Sequence, residues 1–308
     1  MIDLLKQYEK LNNSFKRKLI FHLGYDGGFF SEYNNMILAM LYCLENKIKF
    51  VLYSKDANFG YKNGWTDYFL PFCEEEYGNF HAKYNKRYPS FLKMLWPEVV
   101  IYHLFHRGTF LTFELFNAIR DRKQEKKHFY IPQLEIDGSL QEACRVLIQL
   151  TWRYNEKIQR KVDSLIDSLQ LPEKYIGFHI RTGDKNIETQ LFDIQKYIEK
   201  AQPYSEIKDV FILADNYLII EDFQSQTKNR NIYTLCGKGA RGYFNDVFQK
   251  QNEEFKRRAH EKLFASVDIL SRAYCVIGTF SSNPGMYLGM KMSKGKMVGV
   301  DLEKWQIW

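Results

Sequence analysis

Short apolar, β-rich runs alternate with helical patterns through the second half of the chain. The runs are YIGFHI (175–180), DVFILAD (209–215), NIYTL (231–235), YCVIGT (274–279) and KMVGVD (296–301). Helical spacing of apolar residues fills 192–201, 216–225, 245–272 and 284–293 between them. Runs this short and this apolar suit strands buried on both faces, which predicts a mostly parallel sheet covered by helices on either side. Ligands of such sheets bind beyond the carboxyl ends of the strands, so the residues just past each run are the first candidates for a site.

The first half starts in the same way. KLIFHLGYDGG (18–28) reads as a strand entering a glycine-rich turn, SEYNNMILAMLYCLENK (31–47) as a helix and KFVLYS (49–54) as the next strand. The stretch 56–138 is irregular and aromatic-rich, with Tyr61, Trp65, Tyr68, Phe69, Tyr77, Phe80, Tyr84, Tyr88 and Phe91. Core packing is one role for these rings. From 139 to 169 the apolar spacing is that of one long helix or two. The chain thus divides into an α/β domain over 1–138, a helical connector over 139–172 and a second α/β domain over 173–308.

The 308 residues, 45% of them apolar, are enough for two cored domains. Forty-four Lys and Arg against 37 Asp and Glu leave a net charge of +7, which suits an anionic ligand, an acidic surface or nucleic acid. The basic clusters KRK, RDRK and KRR are scattered and no nucleic-acid recognition module accompanies them, so nucleic acid is disfavoured. Five cysteines lie far apart without a C-x-x-C pair, the pattern of reduced thiols. The first residues lack the apolar block of a signal peptide, and no run approaches the ~20 apolar residues of a spanning helix. A cytoplasmic protein with at most peripheral membrane contact is the expectation.

Two strand ends carry chemistry. In HIRTGDKNIE (179–188), His179 and Arg181 are two apart on a strand and share a face, while Asp184, Lys185 and Glu188 fall in the loop beyond. Arg181 can grip a phosphate with two parallel N–H bonds; alternatively, the charges of this loop pair among themselves around a solvated turn. In GTFSSNPGMYLGMKM (278–292) the strand ends at Thr279, Pro284 suits a first helical turn, and Ser281, Ser282 or Asn283 is the N-cap. Such a helix start is either an anion pocket or an ordinary capped helix. Asp215-Asn216 closes another strand as a ligand carboxylate or a plain turn.

Gly27 and Gly28, in the turn 24–28, permit close backbone approach but lack the spacing of a dinucleotide fingerprint or a P-loop. His103 and His106 have no third metal ligand in sight, which favours packing. No D-x-D pair is present, so any diphosphate chemistry would rely on Arg, Lys and helix dipoles, without metal or other cofactor.

Taken together, GFHIRTGDK, ADN, SVDILSRAYCVIGTFSSN and the closing DLEKWQIW resemble the GDP-fucose-dependent fucosyltransferase superfamily, most of all the α1,6-fucosyltransferases of the core-fucosylating and Nod-factor type. GYDGGFFSEYNNMILAM and NGWTDYF resemble that family's first domain. The resemblance implies an α/β fold that is GT-B-like, with two Rossmann-type domains facing each other across a cleft. It implies an inverting, metal-independent transfer of fucose from GDP-fucose to a glycan acceptor.

Position by position, the resemblance puts Arg181 on the diphosphate, with His179 supporting it. Asp268 would read guanine, and Ser281 and Ser282 would hold phosphate or nucleoside. Thr279, Asn283, Asp215, Gly27 and Gly28 would line the donor site. Glu188 would be the base, with Lys185 and Asp184 nearby and Asp26 as an alternative. Thr182 stands where the family has a second arginine, and Glu188 falls one residue early relative to Lys185. An α1,2- or protein O-fucosyltransferase and a non-catalytic sugar-nucleotide binder are the alternative readings.

Overall fold

The computed structural model describes residues 4–24, 27–88, 96–181 and 193–307. The chain forms two compact units, Met1–Asn155 and Glu156–Trp308. The segment expected to connect them divides between them: the helix Leu140–Thr151 belongs to the first unit and the helix Glu156–Asp167 to the second. Ser139 caps the former in a reciprocal box with Glu142.

In the first unit, β1 (Arg17–His22), β2 (Ile48–Tyr53) and β3 (Thr109–Leu111) form a parallel sheet in the order β2-β1-β3. The helix Phe29–Glu45 links β1 to β2 and is buried along nearly its whole length. It contains no Gly or Pro, and after Asn46 a positive φ at Lys47 ends it. Asn12 supports β2 by donating to the Phe50 carbonyl at 2.9 Å and accepting from its N–H at 2.7 Å. A short antiparallel pair, β4 (Phe129–Ile131) and β5 (Ile136–Gly138), completes the unit.

Among the aromatics between 56 and 88, Phe59, Trp65, Tyr68, Phe69 and Phe72 belong to this core. Trp65 stacks on Phe69 at 4.3 Å, Tyr33 stacks on Trp65, and Phe30 stacks on Trp152. Phe59, Tyr68 and Phe72 are buried beside them, whereas Tyr77 and Tyr88 are exposed. Core packing is therefore the role of those five. Trp65→Ala should lower unfolding free energy by about 3–5 kcal/mol through the cavity it leaves. Tyr77→Ala should stay within about 0.5 kcal/mol of the parent, both read from urea midpoints.

The second unit carries five parallel strands, β6 (Ile176–Ile180), β7 (Asp209–Ala214), β8 (Asn231–Tyr233), β9 (Cys275–Gly278) and β10 (Met297–Gly299). Their order, β10-β9-β6-β7-β8, is that of a doubly wound sheet, with its reversal between β6 and β9. Ile176, Phe178 and Ile180 pack on one face with Ile194, Tyr197 and Phe223 from the helices Ile194–Lys200 and Tyr217–Gln226. Gly177 turns to the other face, under the helix Glu253–Arg272, where a Cβ would lie 2.6 Å from Leu270 Cδ2. The residues at 179 and 181 continue that second face by strand alternation. Trp305 seats against the helix Asn283–Lys291, donating Nε1–H to the Met286 carbonyl and filling the space beside Gly289.

Candidate functional site

The reversal between β6 and β9 opens the sheet at its carboxyl edge, and the two sequence motifs meet there. His179 is the register partner of Gly278, so Arg181 leaves β6 beside the point where Thr279 leaves β9. Ser282 caps the helix Asn283–Lys291 by accepting from the Gly285 N–H at 3.1 Å, and it donates to the Thr279 carbonyl at 3.0 Å. A Cβ at Gly285 would fall 1.8 Å from that carbonyl oxygen, so the tight Asn-Pro-Gly start depends on the missing side chain.

The Ser282 hydroxyl also lies 3.4 Å from His179 Nδ1. Its one hydrogen serves Thr279, so the imidazole Nδ1 carries the hydrogen of this contact and Nε2 keeps a lone pair. Burial, then the Arg181 guanidinium, push the His179 pKa down to about 3, against a smaller opposing pull from Asp301. The ring is neutral at neutral pH, which leaves Arg181 as the charged member of the pair.

Arg181 is half-buried, its guanidinium carbon 5.2 Å from the centre of the Tyr243 ring. The Tyr243 N–H donates to Asp215 Oδ2 at 3.2 Å and the Gly242 N–H to the Asp215 carbonyl at 2.8 Å. The loop before the helix Asn245–Gln249 is thereby tied to the end of β7, next to Arg181. Asn216 caps the helix Tyr217–Gln226 through the Leu218 N–H.

Several candidates have other occupations. The N–H groups of Phe280 and Ser281 donate to the two carboxylate oxygens of Asp301, both at 2.8 Å, so the Ser281 N–H is committed inside the protein. The Ser282 hydroxyl is likewise committed and is 2% exposed. Asp268 accepts from Lys291 Nζ at 2.7 Å, and Lys291 closes the helix that Ser282 opens. The neighbouring Ile269 carbonyl accepts from Tyr175, which precedes β6. Asp268 thus stands toward the amino ends of the strands, away from the edge where it would read a base.

The glycine turn of the first unit is also filled from within. Glu32, fully buried, accepts from the Gly24 N–H at 2.8 Å and the Gly27 N–H at 2.9 Å, and pairs with Arg87. A Cβ at Gly27 would lie 2.7 Å from Glu32 Oε1. Gly28 is the extended N-cap of the helix Phe29–Glu45. The close approach that these glycines permit is to a carboxylate of the same chain. Thr182, Asp184, Lys185, Glu188 and Asp26 lie outside the described residues.

Three groups that the motifs did not single out stand at carboxyl edges. Asp301 follows β10 and is marked in sequence only as one more strand-end carboxylate. Tyr243 lies in a loop without periodicity. At the end of β1, His22 Nδ1 lies 2.9 Å from the Asn85 carbonyl and Nε2 lies 2.9 Å from Asp56 Oδ1. Burial pushes the Asp56 carboxyl up, but the His22 hydrogen bond and charge carry it net below its usual value. His103 pairs with Glu114 and His106 stacks on Tyr102. Among the described residues no three His, Cys, Asp or Glu side chains gather as a metal site.

The buried neutral His179 has a thermodynamic signature. Its pKa in the unfolded chain is ~6.5 and in the folded chain about 3, so below pH ~6.5 the unfolded state binds the extra proton. This contribution is present above pH ~6.5 and lost as pH falls toward 3, about 2 kcal/mol of it by pH 5. Urea midpoints should therefore drop between pH 7 and pH 5, and His179→Gln should flatten that drop.

No family model matches the sequence, and no curated protein matches it. Solved structures do. NodZ α1,6-fucosyltransferase soaked with GDP-fucose superposes with a TM-score of 0.53 at 14% identity, over 90% of this chain and 93% of that one. Fucosyltransferase NodZ from Bradyrhizobium gives 0.54 at 14% identity, over 90% and 94%. An Arabidopsis thaliana FUT1 variant in complex with GDP gives 0.53 at 10% identity, over 96% of this chain and 75% of that one. The chain has the fold of these fucosyltransferases, a two-unit α/β fold of the GT-B kind.

Proposed function

We propose that this chain is a GDP-fucose-dependent fucosyltransferase whose donor site is the carboxyl edge of β6 and β9. The observation that carries the reading is the joining, at one sheet reversal, of the end of β6, which leads into Arg181, to the serine-capped start of the helix Asn283–Lys291 through the His179–Ser282 contact. The fold shared with GDP-fucose enzymes gives that anion-suited geometry its substrate class.

In this reading Arg181 faces the diphosphate and offsets the charge that builds up as GDP departs. The neighbouring helix start adds the positive end of its dipole. His179, uncharged, braces Ser282 and hence the loop 279–282, while Thr279, the Ser281 side chain, Asn283 and Asp215 line the donor. Asp268 and the Gly27 N–H are held by Lys291 and Glu32, so we assign them no donor contact. The acceptor hydroxyl attacks the anomeric carbon of fucose, the bond to GDP breaks, and the hydroxyl proton passes to a base. Glu188 is that base on the strength of the family resemblance, with Asp184 and Lys185 beside it. We assign an inverting, metal-independent transfer of the α1,6 type to a glycan acceptor; linkage analysis of the product separates this from α1,2 or protein O-fucosylation.

Calorimetry in the presence of EDTA should show GDP and GDP-fucose binding in preference to UDP; no binding, or equal binding of UDP, would end the reading. Arg181→Ala should lower turnover, measured as released GDP, by roughly a hundred- to a thousandfold. Arg181→Lys should recover only part of the loss, because a point charge replaces a two-pronged grip.

A further inference from the structure

The helix Pro97–Phe105 presents an apolar ridge to solvent. Val100 and Ile101 are each 50% exposed, Leu104 62% and Phe105 80%. At 100° per residue these four fall within one stripe on the helix surface. The opposite side anchors it: Val99 is buried, Tyr102 stacks on Phe80 at 4.2 Å, and His103 pairs with Glu114. The ridge is held out rather than frayed out.

Its C-terminal end runs into basic chain. Arg107 is exposed, the Gly108 carbonyl accepts from the Lys18 N–H, and the Arg17 guanidinium lies over the Phe110 ring at 5.9 Å. Lys16 and Arg107, both exposed, thus lie where the chain turns after Phe105, while Glu98, the one acidic residue of the helix, is in its first turn. The full chain carries +7.

We propose that this ridge rests in the interface of an anionic lipid bilayer, with Lys16 and Arg107 on the headgroups. Four apolar side chains on one helix fall well short of the ~20–30 residues a side of a stable protein interface. Shallow insertion of a few apolar side chains beside a basic cluster is what peripheral binding to acidic lipid requires. Among the described residues no helix is long and apolar enough to cross a membrane, so this contact is one of lying on the surface. The inference does not depend on the sugar-transfer reading.

The test is sedimentation of the full chain with vesicles of phosphatidylcholine alone and of phosphatidylcholine with phosphatidylserine. The protein should pellet with the second kind, and less so as salt is raised. Leu104→Asp and Phe105→Asp should each cut partitioning roughly tenfold, and Arg107→Gln about fivefold. Phe105→Trp, which keeps the ridge apolar, should show fluorescence quenched by lipids brominated on their acyl chains. Failure to pellet, equal pelleting with neutral vesicles, or an unquenched Trp at 105 overturns the proposal. So does a dimer in sedimentation velocity that Leu104→Asp dissociates, which would give the face to a second copy of the chain.

Discussion

The carboxylate of Asp301 holds the crossing between β9 and the helix that follows it. By accepting the N–H groups of Phe280 and Ser281 it fixes the backbone of the loop that has to meet Arg181. The Ser282 cap and the His179 brace then build on a loop already in place. A carboxylate with two backbone donors is a charge-assisted arrangement, stronger than its neutral equivalents. It sets the shape of the candidate site without touching the proposed ligand.

The first unit uses the same device twice. Glu32 gathers the amides of Gly24 and Gly27, and Asp67 gathers those of Tyr61, Lys62, Asn63 and Gly64. In each case a loop at or near a sheet edge is folded around an acidic side chain of the same chain. The amides of Gly24, Gly27, Tyr61, Lys62, Asn63 and Gly64 are thereby satisfied from inside the chain. In the proposed function anion binding rests on Arg181 and the helix start instead.

β6, β7 and β9 were legible because they are buried on both faces and read as nearly continuous apolar runs. The edge strands β8 and β10 are only partly buried but lie in longer apolar runs, whereas β3, β4 and β5 lie in the irregular stretch 56–138. The tight connection at Pro132–Glu135 lacks a glycine, and Glu135 takes the left-handed conformation itself. His179 and Ser282, which touch, both lie at strand ends that the parallel-sheet rule marks as candidates. Asp301 and Glu32 were harder to assign because their partners are backbone amides, which every residue but proline carries. Asp268, which the motif offers as a base reader, pairs with Lys291, a partner that no local pattern announces.

His179 and Ser282 are 103 positions apart in the chain, and the contact between them closes a loop that takes up much of the second unit, Glu156–Trp308. No local fragment holds both, so closing that long loop is part of completing the fold rather than a late adjustment. A molecule gripping both strand tips would favour the fully assembled unit over every partly opened form, and its binding would register as resistance to global unfolding. The binding edge and the cooperativity of the second unit are consequences of one chain crossing.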